Sequence, residues 1–427
     1  MGQFLLACWS FETHSDVFLA VGSALRKQGH DVAFYTAPRD RERVEAIGAR
    51  LFPFNRLSQE QADYLVDGVL YYRKRPWMLW QWWRRFLLHT IPAQVQDLTD
   101  ILTKYRADAI VADTALWSLP VVIRETTNIP VAMLSHVGLC LEPGDAGPVH
   151  GRAMPPRRTA FQRLLANAIQ SLSAYASRDA RRTASRIRAA YGLPPVTGRV
   201  TALLSKMELY LIPTCPSFDY SRSDLPPSVK YIGPCLWPES SKDSSRPELR
   251  DASPRVVVEE GSLYAPDPIL LRAAMSGLAG SRAKVTVYGG KGRDLASLGA
   301  GELAPNITIR PWQPLVNVVA GADLVLTNGN TDSTMAALSR GIPIIVVPSI
   351  LDQAEVAMRI SVSGAGITIK EGHCTPAKLR AGVDRLLAEP SYRREAARLA
   401  VELNALDGPR LAVRFLEELV RQRYAAA

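Results

Sequence analysis

Cysteine is scarce and unpatterned in this 427-residue chain. The five cysteines, Cys8, Cys140, Cys215, Cys235 and Cys374, are odd in number and form no Cys-x-x-Cys pair. Apart from the isolated His373 beside Cys374, no histidine is placed to complete a ligand set. A disulfide framework and a structural metal site are therefore not expected, and a reducing, cytoplasmic compartment is. No apolar run approaches the roughly 18 residues needed to span a bilayer, which leaves at most a weak peripheral membrane contact. The stretch from Met1 to Phe11 is apolar but has neither a basic lead nor a small-residue cleavage site, so it reads as a buried first strand rather than a signal peptide. Charge of one sign is not gathered anywhere. Lys and Arg total 51 against 41 Asp and Glu, and the net charge of +10 is scattered along the chain, which suits an anionic ligand and argues against nucleic acid.

What the chain has is apolar content, 47 %, enough at this length for two cores. Gln3 to Ser10 is an apolar run. Phe18, Val21 and Leu25 then recur at helical spacing, Gly29 and His30 end that helix, and Asp31 to Tyr35 resumes as a strand, completing a βαβ unit. The alternation returns at Asp108 to Ala112, Ile129 to Leu134 and Leu209 to Ile212, the pattern of a mostly parallel sheet covered on both faces. Between Pro216 and Pro254 it lapses into Pro, Ser, Asp and Lys, the composition of an exposed connection. A second series follows at Arg255 to Val258, Lys284 to Tyr288, Ile307 to Ile309, Leu324 to Leu326 and Ile344 to Val347. The expected organisation is α/β with two Rossmann-like domains, 1–235 and 236–408, facing across a cleft. A C-terminal helix, 409–427, carries an apolar stripe of Leu411, Phe415, Leu416, Leu419 and Val420 that must dock on something, and packing back on the first domain is one solution.

The most informative stretch runs from Trp312-Gln313-Pro314 through Asn328-Gly329-Asn330-Thr331-Asp332-Ser333 to Gly341-Ile342-Pro343 and Asp352-Gln353. A strand ends at Leu326, a small polar loop follows, and a helix begins near Asp332 or Ser333. Unpaired backbone N–H groups and the positive end of the helix dipole would face the loop, an arrangement that suits an anion as well as it suits an ordinary capped connection. In order and spacing these four pieces resemble the donor-binding signature of family 1, UDP-glycosyltransferase-like GT-B enzymes: Trp-x-Pro, His-Gly-Gly-x-Asn-Ser, Gly-x-Pro and Asp-Gln. The resemblance extends over the whole chain and is nearest to bacterial natural-product, macrolide-type glycosyltransferases.

The resemblance implies a GT-B fold and a donor site in which Trp312 stacks on the base, Gly329 and Ser333 hold the diphosphate, and Asp352 and Gln353 bond the sugar hydroxyls. Val256 to Ser262 resembles the family's strand-to-Gly-Ser turn, whose hydroxyl, here Ser262, reaches the phosphates. Gly289-Gly290-Lys291-Gly292 resembles a neighbouring loop of the same cleft. This chain departs from the signature in five places: Leu315 for the glutamine after Trp-x-Pro, Asn328 for the diphosphate-binding histidine, Asn330 for the second glycine, Asp332 for the asparagine and Ala336 for the ribose-binding glutamate. Asn328 can donate a neutral hydrogen bond but cannot become cationic. Ala336 offers the ribose nothing, so a deoxyribose donor, as in dTDP-sugars, loses less there than a UDP-sugar.

His14 follows the first strand, at the position where the family's histidine removes the acceptor's proton, with Ser15-Asp16 in place of the usual Asn-Pro. Asp113, at the end of a later strand, matches the aspartate that fixes that histidine's tautomer and steadies the imidazolium; the lesser alternative is a cap for a helix starting near Thr114. The segment Arg73 to Leu88 is dense in Trp and Arg. It reads either as an interfacial element or, preferred here, as helices whose aromatics, Trp80 and Trp83 among them, wall an acceptor pocket or fill its core; His136 is a further pocket candidate. No carboxylate cluster suited to Mg²⁺ is visible and no cofactor is expected beyond the nucleotide sugar as co-substrate. The implied reaction is metal-independent transfer of a hexose, with inversion, to a hydroxyl of a small apolar acceptor. A non-catalytic nucleotide-sugar-binding relative is the alternative. An epimerase would need no His14, and a dinucleotide oxidoreductase would want Gly-x-Gly-x-x-Gly where Ser10-Phe11-Glu12-Thr13-His14 stands.

Overall fold

Runs such as Phe4-Leu5-Leu6-Ala7 and Val256-Val257-Val258, apolar at consecutive positions, become strands covered on both faces, because alternation is not needed where neither face meets water. The structure is a computed structural model that describes residues 1–72, 74–135, 159–220, 225–237, 253–298 and 303–426. Seven strands make a first parallel sheet: β1 (Gln3–Ala7), β2 (Asp31–Thr36), β3 (Arg50–Pro53), β4 (Ala109–Asp113), β5 (Val131–Leu134), β6 (Leu209–Ile212) and β7 (Val229–Tyr231). Their spatial order is 3-2-1-4-5-6-7. Six more make a second: β8 (Arg255–Glu259), β9 (Lys284–Tyr288), β10 (Ile307–Arg310), β11 (Leu324–Thr327), β12 (Ile344–Val346) and β13 (Gly366–Thr368), ordered 10-9-8-11-12-13. All pairings are parallel, with Leu5 opposite Ile110 in the first sheet and Val257 opposite Val325 in the second.

Both sheets therefore reverse direction at the same point of their winding, between β1 and β4 and between β8 and β11. A doubly wound sheet leaves its crevice at this switch point. His14 stands in the first turn of the helix that follows β1 and Asp113 is the last residue of β4, while the loops after β8 and β11 carry Ser262 and Asn328.

The short edge strands β3, β7 and β13 lie outside the strongly apolar runs. β7 sits within the Pro- and Ser-rich stretch, and Ile232 and Cys235 just after it are buried with the first domain. The last helix, Gly408–Ala426, lies against the helix Glu12–Lys27, burying Ala412, Val413, Leu416 and Leu419 with Phe18, Val21 and Leu25. Polar contacts fix its register: His30 Nε2 meets Glu417 Oε1 at 3.0 Å, and Arg423 donates to the Asp108 carbonyl at 3.0 Å. No helix among the described residues is long and apolar enough to cross a membrane.

Candidate active site

The helix Glu12–Lys27 starts with no side-chain cap on Phe11, and His14 in its first turn is turned toward the end of β4. His14 Nδ1 lies 2.7 Å from Asp113 Oδ2. The Asp113 carboxylate is 1 % exposed and also accepts from the backbone N–H groups of Trp9, at 3.2 Å, and Ala115, at 2.9 Å. Three converging donors hold it in one orientation, and Asp113 serves His14 and the local backbone at once. With Nδ1 donating to Asp113, Nε2 is the nitrogen that accepts a proton. Burial works against protonation of His14, but the Asp113 charge and hydrogen bond outweigh it, with smaller help from Asp352 and Asp332, and its pKa is raised above the ordinary value. This arrangement can take a proton from a hydroxyl and hold the resulting imidazolium.

Aromatic rings stand beside His14. The Phe11 ring is 5.2 Å from it edge-on, and Phe11, Trp9 and Phe86 pack on one another at 4.6 to 6.3 Å. Trp83 meets Phe86 at 5.6 Å and so extends this wall. Trp82 is buried instead against Tyr64 and Tyr72, and Trp77 is 73 % exposed, so the Trp-rich segment serves wall, core and surface at different positions. The Trp80 side chain and all of His136 lie outside the described residues.

Across the cleft, the loop after β11 turns at Gly329, whose φ of +95° and 2.7 Å approach of an added Cβ to Val346 Cγ1 admit only glycine without strain. The helix Thr331–Leu338 starts there. Asp332 Oδ1, Ser333 Oγ and Thr334 Oγ1 are buried and make no hydrogen bond. Asp332 is pushed up to about 6, first by burial and, against the backbone N–H groups that favour its charge, by the neighbouring Asp352. Burial also raises Asp352, while His14 lowers it. His14, in the first domain, is near enough to both carboxylates of the second for their charges to act on it.

Glu259, at the end of β8, is 1 % exposed and pushed up to about 8 by burial and by Asp332. The Thr327 hydroxyl donates to it at 3.4 Å; Ser333 and Trp312 lie beside it and favour its charge without closing a hydrogen bond. Trp312 is half-buried, with the Lys291 ammonium 5.1 Å from its ring centre. Ser262 is half-buried in the turn after Gly261.

Two expected donor contacts are arranged differently. Both Asn328 amide hydrogens are taken by backbone carbonyls, of Glu260 and of Leu263, and its Oδ1 accepts from Asn330 N, so the side chain ties two loops together instead of presenting a donor to a phosphate. Gln353 is fully buried: its Nε2 donates to Leu263 O and Asn330 Oδ1, and its Oε1 accepts from Ser349 and Ile350. Its hydrogen bonds are all internal, which leaves Asp352, partly exposed, as the member of the pair that can meet a ligand. Ala336 packs into the core with Met335 and Leu338. Glu259, Glu260, Lys291 and Arg293 went unassigned from sequence; two acidic residues closing a Val-Val-Val strand were the available signal.

Two doubly wound domains meeting at their switch points, one with a histidine–aspartate pair and the other with polar loops at a helix start, define the GT-B class. Comparison with known proteins narrows this. Residues 291–419 match the family described as Erythromycin biosynthesis protein CIII-like, C-terminal domain. The chain is 29 % identical to 4'-demethylrebeccamycin synthase of Lentzea aerocolonigenes over 430 residues, covering 98 % of this chain and 99 % of that one. CalG4, the calicheamicin glycosyltransferase, superposes with a TM-score of 0.74 at 21 % identity over 98 % of each chain. The spinosyn rhamnosyltransferase SpnG, solved with thymidine diphosphate, gives 0.69 at 18 % identity, covering 98 % of this chain and 100 % of that one. The chain is a glycosyltransferase with the GT-B fold, similar along its length to bacterial natural-product enzymes.

Proposed function

We propose that the chain transfers a hexose from a dTDP- or UDP-sugar to a hydroxyl of a small, largely apolar acceptor, inverting the anomeric centre. The observation that carries this reading is the His14–Asp113 pair at 2.7 Å, set against an aromatic wall and facing Asp332 and Asp352 on the opposite domain. His14 Nε2 takes the acceptor's proton as its oxygen attacks the anomeric carbon from the side opposite the leaving nucleoside diphosphate. One bond forms as one breaks, and Asp113 balances the imidazolium charge.

Trp312 stacks on the base. Ser262, Ser333 and the backbone beside Gly329 meet the diphosphate, and Asp352 and Asp332 accept from sugar hydroxyls. Preorganised donors of this kind contribute on the order of 3 kcal/mol each where charge develops. No step requires a metal. Asn328 and Gln353 hold the loop shape. With Ala336 in the core, no side chain at that position grips the ribose, which favours a thymidine nucleotide, the ligand seen in SpnG.

The test is release of nucleoside diphosphate from a panel of dTDP- and UDP-sugars with mixed apolar alcohols and phenols, comparing the native chain with His14→Ala. Acceptor-dependent release that falls at least about 10³-fold in the variant is expected from loss of a general base and its orientation. Donor binding without turnover on any acceptor would overturn the reading.

A further inference from the structure

The donor side of the cleft is acidic. Glu259, Asp332 and Asp352 gather on this side, all held toward their neutral forms by burial, so the dense charge here would be that of the nucleoside diphosphate itself, about two negative charges. Charge of that density, drawn out of water into a cleft, is stabilised by a cation beside it. Asn328 cannot become one. Arg293 is committed elsewhere: it pairs with Glu260 at 2.8 Å, donates to the carbonyls of Ala265 and Pro266 and stacks on Tyr264 at 4.2 Å.

Lys291 is built into this corner. Its backbone N–H donates to Gly261 O at 3.1 Å and its carbonyl accepts from the Tyr264 hydroxyl at 2.8 Å, so the residue is clamped at both ends to the turn that carries Ser262. Gly290 before it lies so close to Tyr264 that an added Cβ would come within 2.1 Å of the ring. The clamp fixes where the four-carbon stem starts, and the stem sets the ammonium over Trp312. Lys291 is exposed, and desolvation against the ring lowers its pKa.

We propose that Lys291 is the cation that neutralises the donor's diphosphate, with Trp312 holding the ammonium ready until the nucleotide arrives. A flexible stem allows a move of a few ångströms from ring to phosphate, which a guanidinium fork locked to several partners could not make. The inference rests on the donor site proposed above and deepens it: recognition of the diphosphate and recognition of the base run through the same pair, Lys291 and Trp312.

Calorimetric titration of the full chain with dTDP, UDP and thymidine, at two salt concentrations, tests it. Lys291→Met should weaken nucleoside diphosphate binding about 10- to 100-fold and flatten its salt dependence, change thymidine binding less than about 3-fold, and leave the melting temperature within a few degrees; charged-group hydrogen bonds set this scale. Lys291→Arg should recover most of the loss. Unchanged diphosphate affinity in Lys291→Met, or equal loss for thymidine and diphosphate, overturns the assignment while the donor site stands. A native chain that binds neither dTDP nor UDP overturns both.

Discussion

In the proposed reaction His14 and Asp113, 99 positions apart, divide one task, and the division has a measurable form. Asp113 contributes a fixed acceptor rather than a proton store. Asp113→Asn keeps the size of the side chain but can donate to His14 Nδ1 and so favours the wrong tautomer. Turnover should fall about 10² to 10⁴-fold, while dTDP affinity, set on the other domain, changes little; an equal loss of both would mean that Asp113 merely supports the local backbone. The resemblance made the position of this pair legible; taken alone, a histidine after the first strand and an aspartate ending a later one could each be a cap, and it is the parallel pairing of β1 with β4 that brings them together. The resemblance did not disclose Asn328 and Gln353 as internal ties. An amide is donor and acceptor at once, and whether it faces a ligand or a carbonyl is decided by loops 65 to 90 residues distant in sequence.

At the scale of elements, what could be read in advance followed apolar content. The central strands, buried on both faces, announced themselves; β3, β7 and β13, each four residues or fewer and on the outer part of a sheet, take their conformation from a neighbour already in place. The final helix was legible as an apolar stripe whose partner was open, and that partner is the helix Glu12–Lys27. Its four buried apolar residues contribute on the order of 5 kcal/mol together, a large share of a domain's roughly 5–15 kcal/mol margin. A chain ending at Asp407 should therefore melt well below the full chain, or collect in the insoluble fraction, and restoring the segment as a separate peptide should raise the melting temperature. An unaltered melting curve would contradict this packing account.

At the scale of the whole molecule, buried carboxyls tie stability to pH. An acid whose folded pKa is raised binds more protons folded than unfolded between the two values, so stability falls as pH rises through that window. For Glu259 it runs from the ordinary 4.5 to about 8. Glu259→Gln removes the titration while keeping the shape, so the gain in melting temperature over the native chain should widen between pH 5 and pH 8. A gap that stays constant would show that the fold does not raise the pKa of Glu259.

The return of the last helix to the first domain has a mechanical meaning as well. The chain crosses between domains twice, once between β7 and β8 and once just before Gly408. A body held by one tether can swing and twist freely, whereas one held by two turns most easily about the line joining them, as a door turns on a pair of hinges. Any relative movement of the domains is thereby narrowed toward a single arc, which keeps the turn that carries Ser262 in one alignment with the helix that carries His14.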